Sequence, residues 1–145
     1  MYDQIDHIGI AVRSLKNALT VWENSMGFSP ARIEEVPEHR TRVAIFPIGE
    51  SRIELLEAME DDSPVARFIA RRGEGLHHIC FRVQDLAHEL ERLRADGVHL
   101  VDETPRRGAD GCLVAFIHPS GSGGVLIELS QPASITGHHL HADKL

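Results

Sequence analysis

The sequence predicts an α+β fold built from two tandem βαβββ modules whose sheets curve around a shared cleft. Three observations predict it. First, a block recurs: His7, Ile8, Ile10, Val12 and Leu15 reappear as His78, Ile79, Phe81, Val83 and Leu86, a spacing of 71 residues that Val43 and Val114 share. Second, Arg52-Ile53-Glu54-Leu55 reappears as Leu126-Ile127-Glu128-Leu129 at a spacing of 74, so the second copy holds three extra residues. Third, strand-type alternation and helix-type spacing follow one another in the same order in both copies. A single ferredoxin-like sandwich would leave the repeat unexplained.

The elements follow in order. Ile8, Ile10 and Val12 alternate with His7, Gly9 and Ala11, which is a strand over 5–12. Ser14 caps a helix whose Leu15, Ala18, Leu19, Trp22 and Met26 recur at helical spacing and which Gly27 ends. A weak strand is expected near 32–36, then strands at 42–48 and 51–57 joined by a tight turn at Gly49-Glu50. Asp62-Ser63-Pro64 opens a short helix burying Val65, Phe68 and Ile69, which Arg71-Arg72-Gly73 closes. The second copy gives a strand at 77–83, a helix at 85–96 capped by Asp85 and stopped by Gly97, and strands near 98–103, 112–118 and 124–130. The chain divides into a single domain over 1–131, with module one at about 5–60 and module two at about 75–131, and a polar, flexible tail over 132–145 that carries His138, His139 and His141.

Composition narrows the function. With 145 residues and 42% hydrophobic content the chain supports one compact core. A net charge of −7 argues against a nucleic-acid surface. No apolar run reaches membrane-spanning length, and no basic segment followed by an apolar one marks a leader. Cys80 and Cys112 are too few for a disulfide framework, and Cys80 reads as a buried free thiol, so the expectation is a cytoplasmic protein with no membrane partner.

Strand parity selects the candidate site. His7, His78, Glu54 and Glu128 each point away from the apolar row of their own strand. Taken singly, a strand histidine is usually structural and a strand glutamate usually solvated. Four together, in matched pairs, converge on one face if helices cover the other. Two imidazoles and two carboxylates form a neutral N₂O₂ set around a divalent ion, with no thiolate of the kind that closes a structural zinc site. Co²⁺, Mn²⁺, Ni²⁺, Mg²⁺ and Zn²⁺ all suit such a site. The Gly121–Gly124 stretch lacks the Lys-Ser/Thr of a phosphate loop and reads as a turn.

Longer segments carry a resemblance. They are DHIGIAV, VPEH at Val36–His39, RVAIFPIG, IELLE, DSPVARFIARRGEGLHHICFRV and VAFIHPSGSGGVLIELSQ. Over residues 5–131 the chain resembles the vicinal oxygen chelate (glyoxalase) superfamily and, within it, the methylmalonyl-CoA epimerases. The resemblance implies a metal held by His7, Glu54, His78 and Glu128, with Co²⁺ favoured, and Gln in place of Glu54 in some relatives. It implies an acyl-CoA substrate, a homodimer, and proton transfer at C2 of methylmalonyl-CoA, for which Glu128 is the first candidate catalytic residue and Glu54, Glu38 or a metal-bound water the second, with Glu54 preferred. Some relatives carry a Glu where this chain has Val43, and many carry Lys where it has Ser120. Arg71, Arg72, Arg106 and Arg107 are candidates for the CoA phosphates. A glyoxalase I activity on glutathione thiohemiacetals uses the same ligand types. A metal-free binding protein of the bleomycin-resistance type does not need the quartet, and an extradiol dioxygenase needs a catalytic tyrosine that the single Tyr2 is poorly placed to supply.

Overall fold

The computed structural model describes residues 2–133, so most of the expected tail, with His138, His139 and His141, lies outside the described residues. The chain forms two compact units: one is residues 6–78, the other residues 2–5 together with 79 onward. The elements are β1 (Tyr2–Ala11), α1 (Leu15–Leu19), β2 (Arg32–Val36), β3 (Thr41–Ile48), β4 (Ser51–Ala58), α2 (Pro64–Arg72), β5 (Gly75–Val83), α3 (Leu86–Ala95), β6 (Arg106–Arg107), β7 (Leu113–Ile117) and β8 (Ile127–Gln131).

In the first unit the strand order is β2-β3-β4-β1, and in the second it is β6-β7-β8-β5. In both, the module's first and last strands run parallel, with Gly9 beside Glu54 and Cys80 beside Glu128, while the other neighbours are antiparallel. The duplicated βαβββ order is therefore present, and the weak strand expected near 32–36 is β2. Among the described residues no helix is long and apolar enough to cross a membrane.

Helix α1 begins as expected, with Ser14 Oγ accepting from Asn17 N and Glu57 Oε2 accepting from Leu15 N at 2.9 Å. It ends early. Residues 20–25 widen into a π-helical turn in which Met26 N donates to Val21 O. The extra residue per turn rotates Met26 out of the apolar stripe, leaving it 55% exposed. Trp22 stays inside, against Phe28 and Phe46. The strand expected at 98–103 shortens to a single bridge of Leu100 to Ile117, flanked by His118 N donating to His99 O and Val101 N donating to Phe116 O, each at 2.9 Å. There the Asp102 carboxylate accepts from Phe116 N at 2.8 Å while pairing with Arg106. A side chain thus occupies the edge of β7 where another strand would have continued, and the pairing resumes only at β6.

Each unit has its own core. In the second, α3 lays Leu86, Leu90 and Leu93 over Val83, Ala115, Ile117 and Leu129. In the first, α1 covers one sheet face, with Leu15 against Val12, Phe46 and Leu55. Helix α2, capped by Ser63 Oγ to Ala66 N, places Val65, Phe68 and Ile69 on Ala11, Val43, Ile45 and Leu56. That is the face of β4 on which Glu54 lies. Helices outside the ligand face alone were expected; α2 instead lays its apolar stripe on the ligand face, over Ala11, Val43, Ile45 and Leu56, while α1 covers the other. It supplies a dry wall beside the carboxylate.

Candidate functional site

The first unit brings His7, His78, Glu54 and two further charged residues together. His7 and His78 are 6% and 5% exposed. Their rings meet edge to face, with Nε2 of one 2.9 Å from Nε2 of the other. His78 reaches this place because Gly9 has no side chain: a Cβ there would lie 2.3 Å from its Cε1 and 2.5 Å from its Nδ1. A strand glycine marks a close approach, and here the visitor is an imidazole.

Each histidine is gripped at Nδ1 by the residue before it. His7 Nδ1 donates to Asp6 Oδ2 at 2.8 Å, and His78 Nδ1 lies 2.9 Å from His77 Nδ1. The His77 ring in turn stands edge-on to Phe68 of α2. A carboxylate accepts only, so the His7 proton sits on Nδ1 and Nε2 presents its lone pair. The same ring orientation serves metal-binding histidines.

Glu54 is held differently. Its side chain is 13% exposed, and its Oε2 accepts from Arg52 Nη2 at 3.2 Å and stands 3.5 Å from His7 Nδ1. Arg52 Nη2 also donates to Asp6 Oδ2 at 2.8 Å. Arg52 therefore joins the two carboxylates, and Glu54 Oε1 is the oxygen it leaves over.

In the second unit Glu128 is 7% exposed, in register with Cys80 on β5 and Phe116 on β7, with Ser130 two residues on. Cys80 is a fully buried thiol, as expected. Val43 is 5% exposed and packs with Ile45, Leu56 and Val65, so it serves the core. Glu38 lies exposed in the 3₁₀ turn Pro37–His39. Arg71, Arg72, Arg106 and Arg107 are all exposed. His118 stacks on His99 at 4.2 Å, and Ser120 Oγ lies near both rings.

Sequence reasoning missed Asp6, Arg52 and His77. Arg52 was within its reach, since two residues before Glu54 on a strand is the same face. Asp6 and His77 gave no periodic signal, because residues adjacent along a strand point to opposite faces and are not expected to touch.

Residues 6–116 match the model of the Glyoxalase/Bleomycin resistance protein/Dioxygenase superfamily. The chain belongs to that superfamily. An uncharacterized protein of Bacillus subtilis, YqjC, is 43% identical over 90% of this chain and 93% of its own length. The mitochondrial methylmalonyl-CoA epimerase of Dictyostelium discoideum is 33% identical, covering 88% of this chain and 78% of that protein. A variant of Streptomyces coelicolor methylmalonyl-CoA epimerase, in complex with 2-nitronate-propionyl-CoA, superposes with a TM-score of 0.86 at 35% identity over 92% of this chain and 97% of its own. The glyoxalase-like fold and the epimerase resemblance expected from the sequence are both borne out.

A divalent ion fits the residues present. Two buried imidazoles turn their Nε2 atoms toward one another, and Asp6 fixes one of them as a lone-pair donor. Lone pairs so close repel unless a cation or a shared proton lies between them. Imidazole nitrogens with a carboxylate at hand are donors suited to a divalent ion.

Proposed function

We propose that this chain is an epimerase interconverting (R)- and (S)-methylmalonyl-CoA by proton transfer at C2. The observation that carries the reading is the buried pair of Nε2 atoms 2.9 Å apart in a chain whose relatives are epimerases. His7, His78, Glu54 through Oε1, and Glu128 would hold the ion. Strand alternation supports the inclusion of Glu128: it lies beside Cys80, and Cys80 shares its face of β5 with His78. The bound ion would supply electron withdrawal from the thioester and carboxylate oxygens that flank C2, which makes that C–H acidic. Co²⁺ is the favoured metal; Mn²⁺, Ni²⁺, Mg²⁺ and Zn²⁺ share its preference for these donors.

Inversion at C2 takes the proton from one face and returns one to the other. Glu128 is assigned to one face. It is buried beside a thiol and an aromatic ring, where little water competes for the proton. Glu54 is assigned to the other through Oε1, since Arg52 engages Oε2. Val43 has no proton to give. The apolar wall of Val65 and Phe68 would keep water from the carbanionic carbon. Arg71, Arg72, Arg106 and Arg107 are assigned to the CoA phosphates. Ethylmalonyl-CoA remains within reach, because one methylene discriminates weakly. Both cysteines are thiols, which suits a cytoplasmic setting, and the family resemblance supports a homodimer, which light scattering would test.

The deciding experiment is deuterium exchange at C2 of (2R,S)-methylmalonyl-CoA in D₂O, with and without Co²⁺. Rapid metal-dependent exchange is expected. A folded, metal-loaded protein that exchanges nothing would sink the reading and turn attention to thiohemiacetals of glutathione, the glyoxalase I substrates.

A further inference from the structure

We propose that Asp6 and Arg52 form a positioning clamp that sets the metal-facing atoms of His7 and Glu54 before any ion arrives. The clamp rests on the metal reading above for its purpose but has a signature of its own. Asp6 Oδ2 takes the Nδ1 proton of His7 at 2.8 Å and the Arg52 guanidinium at 2.8 Å, and the same Nη2 reaches Glu54 Oε2 at 3.2 Å. Asp6 and Glu54 side chains are 14% and 13% exposed, so the two carboxylates meet the half-exposed Arg52 guanidinium where they themselves see little water.

The arrangement has two effects. The first concerns the tautomer. A free neutral imidazole can carry its proton on either nitrogen, and only the Nδ1–H form offers Nε2 to a cation. An acceptor-only oxygen at Nδ1 selects that form. The second concerns charge. Glu54 and Glu128 balance a 2+ ion without help, and Asp6 adds a further negative charge that Arg52 cancels. Arg52 also fixes which Glu54 oxygen remains for the ion. Neither residue touches the acyl group in this scheme; both act through the ligands they hold.

The module repeat sharpens the inference. Arg52 corresponds to Leu126, and Asp6 to His77. The charged clamp therefore belongs to the first module alone, while His78 is gripped by a second imidazole. Residues forced only by the shared fold would be expected to recur in both copies.

The test uses two readouts on the full chain. Nitrogen-15 NMR of the imidazoles in metal-free protein reports the tautomer of His7. Wild type should show the Nδ1–H form, and Asp6→Asn should lose it. Cobalt titration, followed by calorimetry and by the visible absorption of bound Co²⁺, reports the donor set. Asp6→Asn and Arg52→Met should each weaken Co²⁺ binding about ten- to a hundredfold and alter the visible band. Circular dichroism screens each variant for folding, and Asp6→Glu, which keeps the acceptor, should restore part of the tautomer signal.

An unchanged His7 tautomer in folded Asp6→Asn overturns the clamp, as does Co²⁺ affinity unmoved in both single variants. Wild-type protein that takes up no Co²⁺ overturns the metal reading instead, and the tautomer measurement still decides whether Asp6 orients His7.

Discussion

The two modules present the same histidine and glutamate in the same places and surround them with different chemistry. In the first, Glu54 shares a guanidinium with Asp6 and keeps one oxygen over. In the second, the residue matching Arg52 is Leu126, and Glu128 lies between Cys80 and Phe116. The repeat gives each module one such histidine and one such glutamate, and the two glutamates stand in unequal surroundings. A reaction that removes a proton from one face and delivers it to the other uses two carboxylates in different roles, and unequal surroundings are what separates roles for identical side chains.

The largest effects should come from the glutamates. Glu128→Ala should lower both C2 exchange and inversion by about a thousandfold, in the range that losing an acid/base group costs. Glu54→Gln keeps a ligand oxygen and should slow inversion by about a hundredfold while deuterium continues to enter from the Glu128 face. Following exchange and epimer ratio in the same NMR sample separates the two; equal losses in both variants would erase the distinction between the modules. Next comes Gly9→Ala. Its Cβ would stand 2.3 Å from His78 Cε1, so His78 must move. Cobalt affinity should fall at least tenfold, with about 1–3 kcal/mol lost from stability by overpacking, measured by calorimetry and urea unfolding.

Leu126→Arg transplants half of the first module's clamp beside Glu128. A guanidinium in reach of that carboxylate should reduce inversion about tenfold, a loss of 1.4 kcal/mol at the transition state; unchanged kinetics would mean that Arg52's counterpart position does not govern its glutamate. The smallest effect lies away from the site, where Arg92 and, after it, the Tyr2 hydroxyl hold the Glu89 carboxyl down to about 2 against the cost of its burial. A carboxyl depressed in the folded state stabilises above its ordinary value of 4.5 and loses that contribution as pH falls toward 2. Glu89→Gln should therefore cost about 1–2 kcal/mol at pH 7, with the gap from wild type closing as pH falls from 4.5 toward 2, read by urea unfolding at each pH. A gap that stays constant over that window would exclude the ion pair as its source.

Much of this was legible in the sequence, and the failures have physical causes. Strand parity put His7 and Glu54 on the face opposite Ile53 and Leu55, and the cores separate that way. The caps at Ser14, Ser63 and Asp85 were readable because a capping side chain acts within three residues of itself. What escaped was decided at long range. Met26 left its helix because Phe28 and Ala31 filled the space beside Trp22, which no periodicity reveals. The strand expected at 98–103 stops after a bridge at Leu100, where Asp102 bonds to Phe116 N, fourteen residues along. Helix α2 showed its apolar stripe plainly in Val65, Phe68 and Ile69, but not which sheet face would receive it. Asp6 and His77 escaped because each grips the residue next to it, which strand alternation puts on the opposite face, while Arg52 shares the face of Glu54 and was readable.

Strand β1 has a further consequence for how the chain comes together during synthesis. Its first residues, 2–5, belong to the unit completed by residues 79 onward, while the rest of the strand belongs to the unit that ends at residue 78. The Tyr2 ring stacks on Phe81 at 5.7 Å and its hydroxyl meets Glu89. On the ribosome, residues 6–78 have every strand they need once His78 emerges, and can close first. Residues 2–5 leave the tunnel ahead of residues 6–78 and must wait for residues 79 onward before their partners exist. A bulky fusion placed just ahead of Tyr2 would therefore disturb the half of the molecule made last.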